Sequence, residues 1–342
     1  MTAIYITSDN AGVGKTAICV TLAGYLSREG KKVALFKPFH LQYGSSGIDP
    51  DIEILKQAAN VKGKSDAIWP IELVENGDLK EISLDNVLKA FREATSGSDI
   101  SIVEGLSGLD DLIGSSARSL VENMDASVIV VIGYVPELDL DHVLKAKQLF
   151  GNRLAGVILN GVTRYKIRDV KAGLVPMIES EGIKVLATIP EDRRLLGVSV
   201  GQLAQHLNGQ FLSLEEKKDN FVERYLVGGM ILDWGVLYFE RFAHKAVIVR
   251  ADRPDIQMAA LRTPTSCIVL TGGNTPIEYV SYEAQEEEVP LIQVETDTLA
   301  TTEALESLHE KALFDHPMKH EQFQALMSEH GDWEALCSSL GL

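Results

Sequence analysis

Between a short apolar strand pattern, AIYIT over residues 3–7, and a helical pattern with apolar positions Ile18, Leu22 and Leu26 stands the run SDNAGVGKT, residues 8–16. A glycine-rich turn in that setting builds a concave anion cradle, because backbone N–H groups converge there and the helix N-terminus adds its dipole. The backbone of Gly12, Val13, Gly14, Lys15, Thr16 and Ala17 forms the cradle, which suits a di- or triphosphate. Lys15 is placed to reach the β- and γ-phosphates and the Thr16 hydroxyl to hold magnesium, so a nucleotide with Mg2+ is the expected ligand. Six positions before Lys15 the standard pattern has Gly, whereas this chain has Asp9. A chance GKT at a tight turn is the alternative, and the order strand, loop, helix argues against it.

The pattern around this loop predicts an α/β fold with a doubly wound, mostly parallel sheet. Apolar, β-branched runs at 3–7, 32–37, 100–104, 127–133, 155–160 and 185–189 alternate with amphipathic helical stretches. Strands covered on both faces read as continuous apolar runs, and SVIVVIG at 127–133 is one. Near Pro190 the pattern changes: PEDRRLLGVS reads as a connector, followed by a helix that ends at the Asn208-Gly209 turn. The expected organisation is a nucleotide-binding domain over 1–195, a smaller α/β domain over 196–312 and a helical tail over 313–342. The second domain has strand patterns at 245–250, 267–270 and 291–294 and a helical one at 254–261.

Acidic residues outnumber basic ones 49 to 32, and a net charge of −17 repels nucleic acid and anionic membrane surfaces. The N-terminus has no basic leader and no stretch of about 18 apolar residues occurs, which predicts a cytoplasmic protein. Three isolated cysteines, Cys19, Cys267 and Cys337, fit neither a disulfide framework nor a zinc site.

A phosphate loop calls for a further carboxylate at the end of a neighbouring strand. ISIVEG supplies Glu104, either a magnesium ligand or a solvated strand-end acid, and Gly105 lets the chain turn over the phosphates. Asp51 in GIDPDIEIL is a further metal ligand or a helix-start acid favoured by the dipole. Lys37 ends the second strand at the carboxyl edge, where open α/β sheets bind ligands. It is either a solvated lysine or a group that stabilises charge on a transferring phosphoryl.

VGKT at 13–16, Lys37-Pro38, Val103-Glu104-Gly105 and LAGVILNGV with Asn160 recur in the order and spacing of dethiobiotin synthetases, which the first 195 residues resemble. That resemblance implies ATP-dependent phosphorylation of a carbamate or carboxylate. It implies phosphate contacts for Lys15, Thr16 and Lys37, metal binding for Asp51 and Glu104, and adenine recognition for Asn160. Phe39-His40-Leu41-Gln42 replace the small residues that contact substrate in true dethiobiotin synthetases, so biotin synthesis is not expected. The chain from 197 to 312 resembles the DRTGG domain through LVGGMILDWGVLYF, VIVRADRPDIQMAAL, CIVLTGG and VPLIQVETDTLAT. Together the two parts resemble the N-terminal, regulatory portion of long phosphotransacetylases. The segment after 312 is too short for their catalytic domain, so acetyl transfer is not expected.

In the second domain Asp252, Arg253 and Asp255 lie at one strand-to-helix turn and Thr271-Gly272-Gly273-Asn274 at the next. They form either a small anion site or a helix start beside a glycine turn. His309, His316 and His320 read as surface residues, since Pro317 breaks any shared helical face, and Glu286–Glu288 as a solvated face.

The functional expectation is a nucleotide-dependent regulatory protein acting with a small molecule or partner enzyme. The alternative is a stand-alone ATP-dependent ligase in which Lys15 and Lys37 neutralise developing charge. The resemblance further implies a homodimer.

Overall fold

A computed structural model describes residues 1–41, 52, 54–56, 71–73, 84–109, 111–136, 138, 140–229, 232–308 and 312–342. The chain divides into two units, residues 1–192 with 320–342 and residues 193–319.

Among the described residues the first unit has the strands β1 (Thr2–Ser8), β2 (Val33–Phe36), β3 (Phe39–Leu41), β4 (Ile71–Leu73), β5 (Ile100–Ser107), β6 (Ala126–Gly133), β7 (Leu154–Val162) and β8 (Val185–Pro190). Six of them form one parallel sheet in the order β2-β5-β1-β6-β7-β8, and β3 pairs with β4. The chain leaves β1, crosses β5 to reach β2, and later returns to β6 on the other side of β1. That reversal places the loop after β1 at a topological switch point, where the carboxyl ends of the strands open a crevice. The expected doubly wound parallel sheet is therefore present, with its six strands near their expected positions.

Burial explains the apolar runs. Ala3, Tyr5, Val103, Val130 and Leu159 enter one cluster with the helices Leu84–Ala94, Asp111–Met124 and Asp141–Phe150. Ile4 and Ile6 alternate with Tyr5 and are fully buried too. Helix α1 (Lys15–Arg28) packs on β1, β2 and β5 and buries Ile18, Leu22 and Leu26.

In the second unit lie β9 (Val198–Ser199), β10 (Gln210–Ser213), β11 (Phe221–Val222), β12 (Arg224–Val227), β13 (Lys245–Arg250), β14 (Thr265–Thr271) and β15 (Leu291–Gln293). The sheet β10-β15-β14-β13-β12 is parallel except for the antiparallel edge strand β10. The helix Val200–His206 starts with a capping box between Ser199 and Gln202, and Asn208 turns at φ 50. Residues 320–342, with the helix Trp333–Leu340 and all but the first turn of the helix Pro317–His330, belong to the first unit. Gly331 bridges Ala187, Asp332 N–H donates to the Leu186 carbonyl at 2.9 Å, and the Trp333 ring stacks on Tyr25.

Among the described residues no helix is long and apolar enough to cross a membrane.

Candidate functional site

Parallel pairing brings the expected residues to one edge. Ile6 lies opposite Glu104, Ser8 opposite Ser107, Phe36 opposite Val103 and Gly133 opposite Asn160. Lys15, Thr16, Lys37, Glu104 and Asn160, distant in sequence, thus converge on the carboxyl ends of β1, β2, β5 and β7.

The loop owes its shape to two glycines in the left-handed region, Gly12 at φ 73 and Gly14 at φ 94. Gly14 is the N-cap of α1 and supplies no side-chain cap, and the first turn carries no acid. A helix that begins this way leaves its first N–H groups for an anion. The loop is also bolted from two sides. Asn160 Nδ2 donates to the Val13 carbonyl at 2.8 Å, and Gly133 gives Val13 room, since a Cβ there would lie 2.7 Å from Val13 Cγ1. The amide of Asn160 thus fixes the loop directly; its part in reading adenine rests on the resemblance.

Asp9 has its own use. Its side chain is 3% exposed and fully engaged by its neighbours. One carboxylate oxygen accepts from the N–H groups of Asn10 (2.8 Å) and Gly133 (3.3 Å), and the other lies 3.4 Å from His142 Nδ1. A carboxylate facing the phosphates would repel them; here it fastens the start of the loop to the end of β6.

Lys15 Nζ donates to Ser8 Oγ at 3.1 Å and to Ser107 Oγ, two hydroxyls that the register sets side by side. Thr16 Oγ1 donates to Glu104 Oε1 at 3.2 Å, and Lys37 Nζ is 3.1 Å from the same oxygen. Glu104 is buried, as is Lys37, so neither is a solvated strand-end group. Gly105 does not begin a turn: β5 runs on to Ser107, and glycine is required because a Cβ would strike the Tyr5 ring at 2.3 Å. Burial pushes the Tyr5 phenol above its ordinary range, so it stays neutral beneath the site. Asp51 lies outside the described residues, as does His309.

The residues fit a magnesium ion. A hydroxyl and a carboxylate are hard oxygen donors, and an ammonium already sits against that carboxylate as a stand-in cation. Among the described residues no three His, Cys, Asp or Glu side chains meet.

Ser8, Ser107, Gly133 and His142 were not singled out by the sequence. Ser107 follows Glu104 by three residues, and its meeting with Lys15 depends on the β1–β5 register.

The second unit sets the turns after β13 and β14 side by side, with Arg250 opposite Thr271. Both arginines are held locally: Arg250 forks onto Asp252 with two 2.8 Å bonds, and Arg253 onto Asp255 at 2.9 and 2.8 Å. Gly272 and Gly273 turn at φ 89 and 68. The charges of the turn after β13 are balanced within it, which matches the helix-start reading better than an anion site. His316 packs against the Phe221 ring, and Glu288 pairs with Lys217 at 2.6 Å.

The AAA domain family matches residues 2–198 and the DRTGG domain family residues 202–308. The phosphate acetyltransferase of Pseudomonas putida is 24% identical over 97% of this chain and 51% of its own length. The ATP-dependent dethiobiotin synthetase of Bacillus thuringiensis is 25% identical over 56% of this chain and 84% of its own. The chain spans about half the length of the phosphate acetyltransferases it matches. Among solved structures, the MinC:MinD cell division protein complex of Aquifex aeolicus is similar at 19% identity, covering 57% of this chain and 84% of that one with a TM-score of 0.37. The motifs at Lys15, Lys37, Glu104 and Asn160, the parallel sheet that gathers them and the two family matches make the chain a member of the dethiobiotin synthetase-like P-loop family, an AAA domain joined to a DRTGG domain.

Proposed function

We propose that the first unit binds ATP with magnesium and that the protein is a nucleotide-dependent regulator, its nucleotide state read by a partner enzyme or a small-molecule pathway. The observation that supports it is the convergence of Lys15, Thr16, Lys37 and Glu104 around an uncapped helix N-terminus at the carboxyl edge. In this reading the N–H groups of residues 12–17 cradle the phosphates, Lys15 leaves its two serine hydroxyls for the β- and γ-phosphates, and Thr16 with Glu104 holds the metal. Asp51 is proposed as a further metal ligand and Asn160 as a contact to the base. Acetyl transfer is the activity named for relatives about twice this length, and it forms no part of the proposal.

The test is calorimetric titration of the purified protein with ATP and Mg2+, beside Lys15→Ala and Glu104→Ala. Micromolar binding, lost in the first variant and insensitive to metal in the second, supports the site; a wild type that binds no nucleotide sinks it.

A second reading, a ligase that phosphorylates a carboxylate or carbamate, is favoured by the burial of Lys37 beside Glu104, where an ammonium can neutralise charge on a transferring phosphoryl group. ADP release that depends on an added metabolite separates the two. A dimeric mass by light scattering is the expected assembly in either case.

A further inference from the structure

Glu104 Oε1 is shared by two donors of different kinds, the Thr16 hydroxyl at 3.2 Å and the Lys37 ammonium at 3.1 Å. All three residues are buried, with 8% of Thr16, 7% of Lys37 and 4% of Glu104 exposed. A carboxylate this deep needs an opposite charge close by, and one is built into the neighbouring strand. The register sets Phe36 opposite Val103, so the residues that follow them, Lys37 just past β2 and Glu104 within β5, meet at the sheet edge. Lys37 therefore stands against the same oxygen that, with the Thr16 hydroxyl, makes up the metal site proposed above.

We propose that Lys37 is the resident counter-cation of that site: its ammonium neutralises Glu104 in the nucleotide-free protein, and a divalent cation enters only by displacing it, together with the phosphates. The inference rests on the proposed nucleotide reading. Its physical basis is local charge. Lys15 and Lys37 both point into the edge, so a dication arriving alone meets two ammonium groups. A polyphosphate reverses that balance. It would offer acceptors to both lysines, free Glu104 from Lys37, and bring oxygens that share the metal with Thr16 and Glu104. Lys37 then has a second position, on the phosphate, without any movement of the strands. The consequence is ordered loading, with metal and nucleotide arriving together and free metal held off.

The experiment is Mn2+ binding to nucleotide-free protein, followed by electron paramagnetic resonance of the unbound ion. Wild type, Lys37→Met, Lys37→Arg and the double variant Lys37→Met/Glu104→Gln are compared, with circular dichroism to verify folding. Lys37→Met is expected to bind Mn2+ about tenfold more tightly than wild type or better, because no ammonium then competes with the ion for Glu104. Lys37→Arg, which retains the charge, stays within about threefold of wild type, and the double variant loses the gain. If Lys37→Met does not fold, Lys37→Gln, neutral and of similar reach, carries the same comparison. Affinity that is unchanged or weaker in the neutral variant overturns the proposal, and so does a gain that survives in the double variant. Nucleotide is absent from every arm, so a wild type that fails to bind ATP is a separate result from a Lys37 variant that fails to gain metal.

Discussion

The side-chain amide of Asn160 reaches from the end of β7 to the carbonyl of Val13 at 2.8 Å, and its Nδ2 lies 2.6 Å from where a Cβ on Gly14 would stand. The bolt and the glycine are one device: the amide passes so close to the loop that residue 14 can carry no side chain. Gly14 also sits at φ 94, which costs an L-residue about 1–2 kcal/mol. Gly14→Ala is expected to weaken ATP at least about tenfold, through a loop pushed off its bolt, while unfolding becomes easier by about 1–2 kcal/mol. Calorimetry and urea unfolding of the same preparation read both. Unaltered affinity in a destabilised variant would show that the loop shape is set elsewhere.

Asp9 and His142 form the second fastening, and the two ends of the pair are unequal. The Asp9 carboxylate is buried and accepts the N–H of Gly133, whereas the His142 side chain is 43% exposed. Asp9→Ala leaves a backbone N–H without its acceptor and is expected to cost about 1–3 kcal/mol in unfolding free energy. His142→Ala removes a partly solvated pair and is expected to cost under about 1 kcal/mol. Equal losses in the two variants would mean that the contact with His142, not the backbone contact, holds the loop.

These fastenings mark the limit of what the chain discloses before it folds. β1, α1 and the ends of β2, β5 and β7 are legible because local patterns carry them: a continuous apolar run, a glycine loop, a lysine or glutamate just past a strand. The partners of Lys15 depend on Ser8 standing opposite Ser107, 99 positions away, which only strand register decides. Gly105 looks like a turn residue in sequence and is a packing residue in the fold, dictated by the Tyr5 ring on the neighbouring strand. β10 and β12 escape because QFLS and RYLV are short edge strands without the long apolar run that marks a central parallel strand. The return of residues 320–342 to the first unit follows from contacts such as Tyr25 on Trp333, for which no local pattern exists.

Lys245, at the start of β13, is fully buried and donates to the Pro264 carbonyl; burial lowers its ammonium from 10.5 to about 8. Between those two values the unfolded chain holds a proton that the folded chain lacks, so this group makes stability rise with pH across the window. Below it both states are charged and the desolvation cost is present in full. Lys245→Met removes the dependence. The stability of wild type relative to Lys245→Met is therefore expected to rise by about 1–3 kcal/mol between pH 7 and pH 10, measured by urea unfolding at each pH. Using the difference cancels Cys267 and the tyrosines, whose raised values work in the opposite direction. A flat difference would mean that water reaches the Lys245 ammonium in the folded state.

Trp333 closes the far end of the helix whose near end carries the phosphate loop. Its ring stacks on Tyr25 with centroids 4.0 Å apart and planes at 18°, and Lys184 Nζ donates to Ser339 Oγ at 3.0 Å further along the same C-terminal helix. From Lys15 to Tyr25 is ten residues of helix, about 15 Å, too far for a direct effect on phosphates. Trp333→Ala is expected to lower the urea midpoint of the first unit by about 0.3–1 M while ATP affinity stays within about threefold of wild type. The loop is held by Asn160, Gly133 and Asp9, all at the sheet edge, and none of these contacts passes through Tyr25. An affinity loss in Trp333→Ala as large as that of Lys15→Ala would instead show that the seating of α1 on the C-terminal helix sets the loop, and would make residues 320–342 part of the nucleotide site.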